Sequence, residues 1–145
     1  MTGVLTTAAV LSATLFTSWA LYITLVEHPA RLDSGADAGR AQFGPSYRRA
    51  APWQASFAAI ALVSGVAAAG LTSRWAWLAG GLAVGSVIPL TLLAIRPITR
   101  RLLAPDRLDD HETIRLLRRW GRLHAVRTTL GAAGLLAFLR ALGAR

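Results

Sequence analysis

Residues 4–26 read VLTTAAVLSATLFTSWALYITLV, twenty-three positions without a single charge. At a helical rise of about 1.5 Å per residue, such a run crosses the ~30 Å hydrocarbon core of a bilayer. No basic segment precedes it, and it exceeds the apolar stretch of an ordinary secretion signal, so it reads as a retained membrane helix. The run ends in VEHPARL, residues 26–32, where Glu27 and His28 stand side by side, Pro29 follows and Arg31 comes two residues later. Proline disfavours helical geometry in the residue before it, so the helix is expected to stop at His28. Glu27 then sits at the negative end of a helix dipole and calls for a compensating cation.

Working outward, two further apolar blocks cover residues 50–71 and 75–95, rich in Ala and Gly. Small residues let membrane helices approach closely where lipid supplies no hydrophobic drive for association. A fourth block, TTLGAAGLLAFL between Arg127 and Arg140, is short. Snorkelling of those two arginines to opposite headgroup layers would lengthen it into a span. The alternative is three spans and a helix lying at the interface. The expected fold is an all-α four-helix transmembrane bundle in a single integral membrane domain, with spans at about 4–27, 50–71, 75–95 and 120–142.

Composition agrees. The chain has 145 residues, 54% of them hydrophobic, and a mean hydropathy of +0.45. All sixteen basic residues are Arg, there is no Cys, and the net charge is +9. The arginines fall between apolar blocks, a membrane pattern that argues against nucleic acid as a partner. Most lie in residues 27–51 and 96–124, against Arg74, Arg140 and Arg145 on the other side. The positive-inside rule makes those two segments basic cytoplasmic loops and puts both termini outside. His28-Pro29 with Arg31-Leu32, then Tyr47-Arg48-Arg49, is loosely echoed by Arg96-Pro97 with Arg101-Leu102, then Leu117-Arg118-Arg119. A duplicated hairpin and chance in an Arg-rich chain explain this about equally.

The stretch DDHETIRLLRRWGRLHAVR, residues 109–127, reads as one helix that starts in water. Asp109 and Glu112 have the spacing of a capping box. At helical periodicity Leu116, Leu117, Trp120, Leu123, His124 and Arg127 share a stripe that continues through Gly131, Gly134 and Phe138. Arg115, Arg118 and Arg122 fall opposite, toward water or anionic headgroups. His124 and Arg127 are therefore expected to face the bundle, where ionisable groups are costly and often functional. His111, in the exposed first turn, is ordinary. Trp19, Trp75 and Trp77 read as packing or interfacial belt residues.

With alternating spans, Glu27, His28, Arg31, Arg48, Arg49, Trp53, Gln54, Arg96, Trp120, His124 and Arg127 all lie near the cytoplasmic rim. Pro89 should kink the third helix and free the Gly85 carbonyl for a partner such as water, Thr91 or a ligand. Three chemistries fit the cluster. Glu27 pairs with Arg127 or Arg96 in a structural ion pair. Alternatively, Glu27 or a histidine moves a proton on a lipophilic substrate. Finally, Glu27, His28 and His124 supply a ligand set able to hold iron or copper.

The segments VEHPARL, FGPSYRRAAPWQA, IPLTLLAIRPITRRLL and LLRRWGRLHAVRTTLG, in that order, resemble the successive motifs of the anthrone-oxygenase-like four-helix membrane proteins. The resemblance covers most of the chain. It implies four membrane helices and no nucleotide or haem motif. Some members oxygenate polycyclic anthrones to anthraquinones, and many others are bacterial proteins of unknown role. The matching positions are Glu27, His28, Pro29, Tyr47, Arg48, Pro89, Thr91, Pro97, Trp120, His124 and Arg127. Thr99 stands where the family often has Asn.

The candidate catalytic residues are Glu27, His28, His124 and Arg127. Candidate substrate contacts are Tyr47, Arg48, Trp53, Pro89, Thr91, Arg96 and Trp120. Glu27 or His124 would act as base to form an enolate, and Arg127 would stabilise the oxyanion. No cofactor is evident, though iron or copper belongs to the metal alternative. The expected partners are the lipid bilayer and a lipophilic small molecule, in a bacterial inner membrane. A non-catalytic binder or transport component, or an assembly partner, remains as the alternative to an oxidoreductase.

Overall fold

The computed structural model describes residues 1–143. Four helices, α1 (Thr2–Asp33), α2 (Ala36–Thr72), α3 (Trp75–Leu103) and α4 (Asp110–Gly143), are each long and apolar enough to cross a membrane. No strand occurs among the described residues. The chain is an all-helical, integral membrane four-helix bundle. Each helix packs on the next and α4 closes the ring against α1, while α2 also meets α4 across the bundle. Arg145, counted above on the far side, lies outside the described residues.

The Arg-rich stretches between the apolar blocks take helical form, so the connections themselves are short. The 37 residues of α2 extend about 55 Å, well beyond the ~30 Å hydrocarbon core. The first turn is Ser34-Gly35, where Gly35 takes φ 83°, a conformation open to glycine. Arg40 on α2 clamps the turn between α3 and α4, with Nε donating to Leu102 O (3.0 Å) and Nη2 to Ala104 O (2.6 Å) and Asp106 O (3.0 Å). Asp109 caps α4, its Oδ1 accepting from Glu112 N–H at 2.7 Å. The reciprocal half of the expected capping box is absent: the Glu112 carboxylate turns to Arg101 Nε instead.

Helix α1 does not stop at His28. The backbone widens into one π turn over Ile23–Glu27, His28 N–H reaches Ile23 O, and the helix runs on to Asp33. That detour accommodates the missing N–H and the ring of Pro29 without ending the helix. The same device recurs in α3, where Thr91–Ile95 form a π turn, Arg96 N–H reaches Thr91 O, and Pro97 follows. The echo between His28-Pro29 and Arg96-Pro97 thus has a shared backbone geometry. Pro89 interrupts α3 at Ser86, between Trp75–Gly85 and Val87–Leu90. Thr91 does not cover the Gly85 carbonyl; its hydroxyl donates to Val87 O at 2.6 Å.

Two apolar cores fill the bundle. One, in the membrane, joins Ala13, Phe16, Ala58, Ala61, Val84 and Phe138 with their neighbours. The other, toward the Arg-rich end, joins Phe43, Ile95, Ile98, Leu102, Leu117 and Trp120. Close approach depends on glycine: a Cβ at Gly131 would stand 2.7 Å from the Phe16 ring, and one at Gly65 2.9 Å from Phe138. Residues such as Val63, Leu82, Leu93 and Leu136 are exposed on the outside and form the lipid-facing surface. The α4 stripe is as the periodicity predicts: Leu117, Trp120, His124, Arg127, Gly131, Gly134 and Phe138 are buried, while Arg115, Arg118 and Arg122 are exposed. Arg127 is turned inward and does not snorkel.

Candidate functional site: a polar layer between two cores

The sequence changes character at one step on each helix. Ala50 belongs to the outer core and Ala58 to the membrane core, with Gln54 between them; Thr91 stands likewise between Val87 and Ile95. On α4, His124, Arg127 and Thr128 follow Trp120. The exposed arginines Arg49, Arg96 and Arg122 each stand five residues toward the Arg-rich end from Gln54, Thr91 and Arg127. The polar layer therefore lies roughly 7–8 Å inside that rim.

The layer surrounds a small cavity of about 20 Å³ lined by Arg31, Tyr47, Gln54, Trp120, His124, Arg127 and apolar neighbours. It exceeds the roughly 10–15 Å³ that one water requires. Arg127 donates from Nη2 to Gln54 Oε1 at 3.0 Å, and its guanidinium lies 5.4 Å from the Phe16 ring centroid. Among the described residues it has no carboxylate partner. Three further buried donors around the cavity lack a hydrogen-bond partner: Arg127 Nε, Gln54 Nε2 and Trp120 Nε1. Buried donors left unmade are expensive, and the free donors of Gln54 and Trp120 beside the Arg127 guanidinium suit a hydrogen-bond acceptor or an anion in the cavity.

His124 is held from behind. Its Nδ1 is 3.2 Å from Thr24 Oγ1, which is 2.8 Å from Thr128 Oγ1. Thr128 lies within reach of two carbonyls, His124 O (3.1 Å) and Ala20 O (3.3 Å). A hydroxyl has one proton, and the helix-internal bond to the carbonyl four residues back takes that of Thr128. Thr24 then donates to Thr128, and its oxygen accepts from Nδ1–H. This assigns the tautomer and leaves Nε2 of His124 with its lone pair.

Glu27 and His28 occupy the adjacent layer toward the rim, and neither lines the cavity. Glu27 Oε1 accepts from Arg31 Nη2 (2.6 Å), Gln42 Nε2 (2.9 Å) and Ser46 Oγ. The expected partners of Glu27, Arg127 and Arg96, are not its partners: Arg127 meets Gln54, and Arg96 is exposed on α3. The physical reason is the continuous helix, which sets Arg31 one turn beyond Glu27 on the same face. His28 Nδ1 lies 3.3 Å from Arg31 Nη1, and its ring packs 5.5 Å from that of Trp120. A Cβ at Gly121 would collide with this imidazole, so Gly121 makes room for it.

Among the described residues no three His, Cys, Asp or Glu side chains assemble to hold a metal ion. Glu27, His28 and His124 do not form such a set, because Glu27 faces three donors and His28 faces a guanidinium. Of the expected substrate contacts, Tyr47 and Trp120 line the cavity, and Tyr47 and Thr91 line a neighbouring groove. Arg48, Trp53, Pro89 and Arg96 are exposed on the outside of the bundle. Gln54 was expected in the rim cluster but was given no role, and Thr24 and Thr128 were not among the expected site residues. The available signal was positional: Gln54 shares a helical stripe with Ala58, Ala61 and Gly65, and Thr128 stands one turn after His124.

The anthrone oxygenase family model matches residues 43–137. The chain belongs to the anthrone oxygenase family. No curated protein and no solved structure matches it. The match to the family takes in Tyr47, Gln54, Thr91, Trp120, His124 and Arg127, so every cavity-lining residue named above except Arg31 lies within it.

Proposed function

We propose that this family member is a membrane oxygenase that oxidises the acidic methylene of a flat, lipophilic, anthrone-type ketone with molecular oxygen at the His124–Arg127 cavity. The observation that supports it most strongly is the buried Arg127 without a carboxylate, beside unpartnered donors of Gln54 and Trp120. Such a set is arranged for an oxyanion that develops during reaction. Nε2 of His124 removes a methylene proton, and the electron pair moves onto the carbonyl oxygen as an enolate facing Arg127. The enolate carbon then combines with O2, and the returning proton completes a hydroperoxide. Loss of water converts this to the second carbonyl. One oxygen atom enters the product, the other leaves as water, and the substrate supplies all the electrons.

Glu27 accepts three hydrogen bonds on one oxygen, which suits it to fixing Arg31 and makes His124 the better base. Arg31 in turn lies over the Trp120 ring, 5.7 Å from its centroid, and so braces the cavity wall. The excess of arginine at the Ser34-Gly35 end supports an orientation with that end cytoplasmic and both termini outside; the proposal takes the chain as one membrane unit in a bacterial inner membrane.

The test is turnover of anthrone by the protein in lipid nanodiscs under ¹⁸O2. The expected product is anthraquinone carrying one labelled oxygen, formed faster by the natural protein than by His124→Gln by about 10²-fold or more. Equal rates in the two, with both folded, would exclude the proposed base. Binding without turnover would favour a non-catalytic carrier.

A further inference from the structure

The 20 Å³ cavity has no room for a polycyclic ketone. A second depression, about 110 Å³, opens between α2 and α3 and shares Tyr47, Ala51, Gln54 and Arg127 with it. Its remaining walls are apolar: Ala55, Ala58, Val87, Ile88 and Leu92, with Thr91. Leu92 is 52% exposed, and Ala55 is exposed as well. Both stand on the membrane side of the Arg49 and Arg96 rim, so the mouth of this groove meets lipid acyl chains.

We propose that the α2–α3 groove is a lateral doorway through which a flat lipophilic ketone leaves the bilayer and presents the oxygen at its inserted edge, carbonyl or phenol, to Arg127 and Gln54. The proposal rests on the oxygenase reading for the identity of the ligand but adds the route and the residues that select its shape. Ala51, Ala55 and Ala58 recur at helical spacing and leave a strip with no side chain beyond Cβ on one wall. A planar ring edge fits against such a strip, whereas a branched chain leaves gaps. The groove grades from apolar at the lipid end to a guanidinium at the inner end, matching a ligand with an apolar body and one oxygen at its edge. Its volume is below the roughly 300–1,000 Å³ of pockets that enclose a whole ligand. The ligand therefore inserts one ring edge and keeps the rest against lipid. Ala51, Ala55 and Leu92 become the specificity-determining positions.

The experiment uses 2-hydroxyanthraquinone, a flat coloured probe without an oxidisable methylene, titrated against the protein in phospholipid nanodiscs. Ala55→Trp and Leu92→Trp fill the doorway from exposed positions on two different helices. Ala125→Trp places the same bulk in the open outer groove beside His28, between α1 and α4. Binding is expected to weaken by at least about tenfold in both doorway variants and to remain unchanged in Ala125→Trp. Unchanged binding in the doorway variants, or loss confined to Ala125→Trp, overturns the proposal. If one doorway variant fails to fold by circular dichroism, the other decides. Anthrone turnover in the same proteins separates the two ideas. Doorway-sensitive probe binding in a protein that never turns over anthrone ends the oxygenase reading alone; turnover indifferent to Ala55→Trp ends the doorway alone.

Discussion

Glu27 and Arg31 stand one turn apart on α1, with Nη2 of Arg31 2.6 Å from Oε1 of Glu27. The Arg31 side chain is only 2% exposed and that of Glu27 16%, so the pair is largely removed from water. Removing the carboxylate leaves a buried guanidinium without its counter-charge. Glu27→Ala is expected to lower stability in detergent by roughly 2–3 kcal/mol. Arg96→Gln, at an exposed site, should change it by less than about 0.5 kcal/mol. Thermal unfolding of both variants checks this, and a large Arg96 effect would restore the Glu27–Arg96 pair, one of the alternatives the sequence left open.

The His28 imidazole occupies the space a Cβ at residue 121 would need. Gly121→Ala should therefore cost about 1–3 kcal/mol through overpacking. Adding His28→Ala should recover part of that loss, giving a coupling energy in a double-mutant cycle. Simple additivity of the two substitutions would show that the contact does not set the α1–α4 spacing.

Thr24 and Thr128 fix which nitrogen of His124 carries the proton. Thr24→Val keeps the shape but removes the acceptor for Nδ1–H. Under the proposed chemistry, kcat for anthrone falls by about tenfold or more while KM changes little, because substrate contacts are untouched. A change confined to KM would place Thr24 at the substrate instead.

The turn between α3 and α4 has a pH dependence of determined sign. Asp106 is exposed, and its hydrogen bond from Arg101 holds its carboxyl below the ordinary value of 3.8. A carboxyl lowered in the folded state stabilises above its unfolded pKa and loses that contribution as pH falls through the folded value. The turn should be equally protected from hydrogen exchange through neutral and mildly acidic pH and loosen only below about 3.8. Asp106→Asn should remove that acid-dependent loosening.

The inward stripe of α4 was legible because a 3.6-residue period over Leu117, Trp120, His124 and Arg127 has only one way to face a bundle. Three spans were legible from charge-free length; the fourth was not, because Arg127 enters the bundle inside α4 instead of snorkelling to its end. The course of the chain at His28-Pro29 was not. One proline reads as a stop, and nothing in apolar periodicity announces that the residues before it will widen into a π turn. That single backbone event carries Arg31 onto the face of Glu27 and sends the expected ion pair elsewhere. Gln42 and Ser46 were hidden for a related reason: in a segment read as loop they had no face, whereas in the long α2 they sit one turn apart beside Glu27. The cavity itself depends on which donors remain without partners, a property of assembled side chains that no single helix encodes.

The ionisation of bound 2-hydroxyanthraquinone measures the Arg127 site most directly, since its phenolate differs in colour from the phenol. In the natural protein the phenol should ionise at least about one pH unit lower than in Arg127→Leu, the effect of an opposite charge within a few ångströms. Equal ionisation of the bound probe in the two proteins, with binding retained, would show that the buried guanidinium does not stabilise an oxyanion.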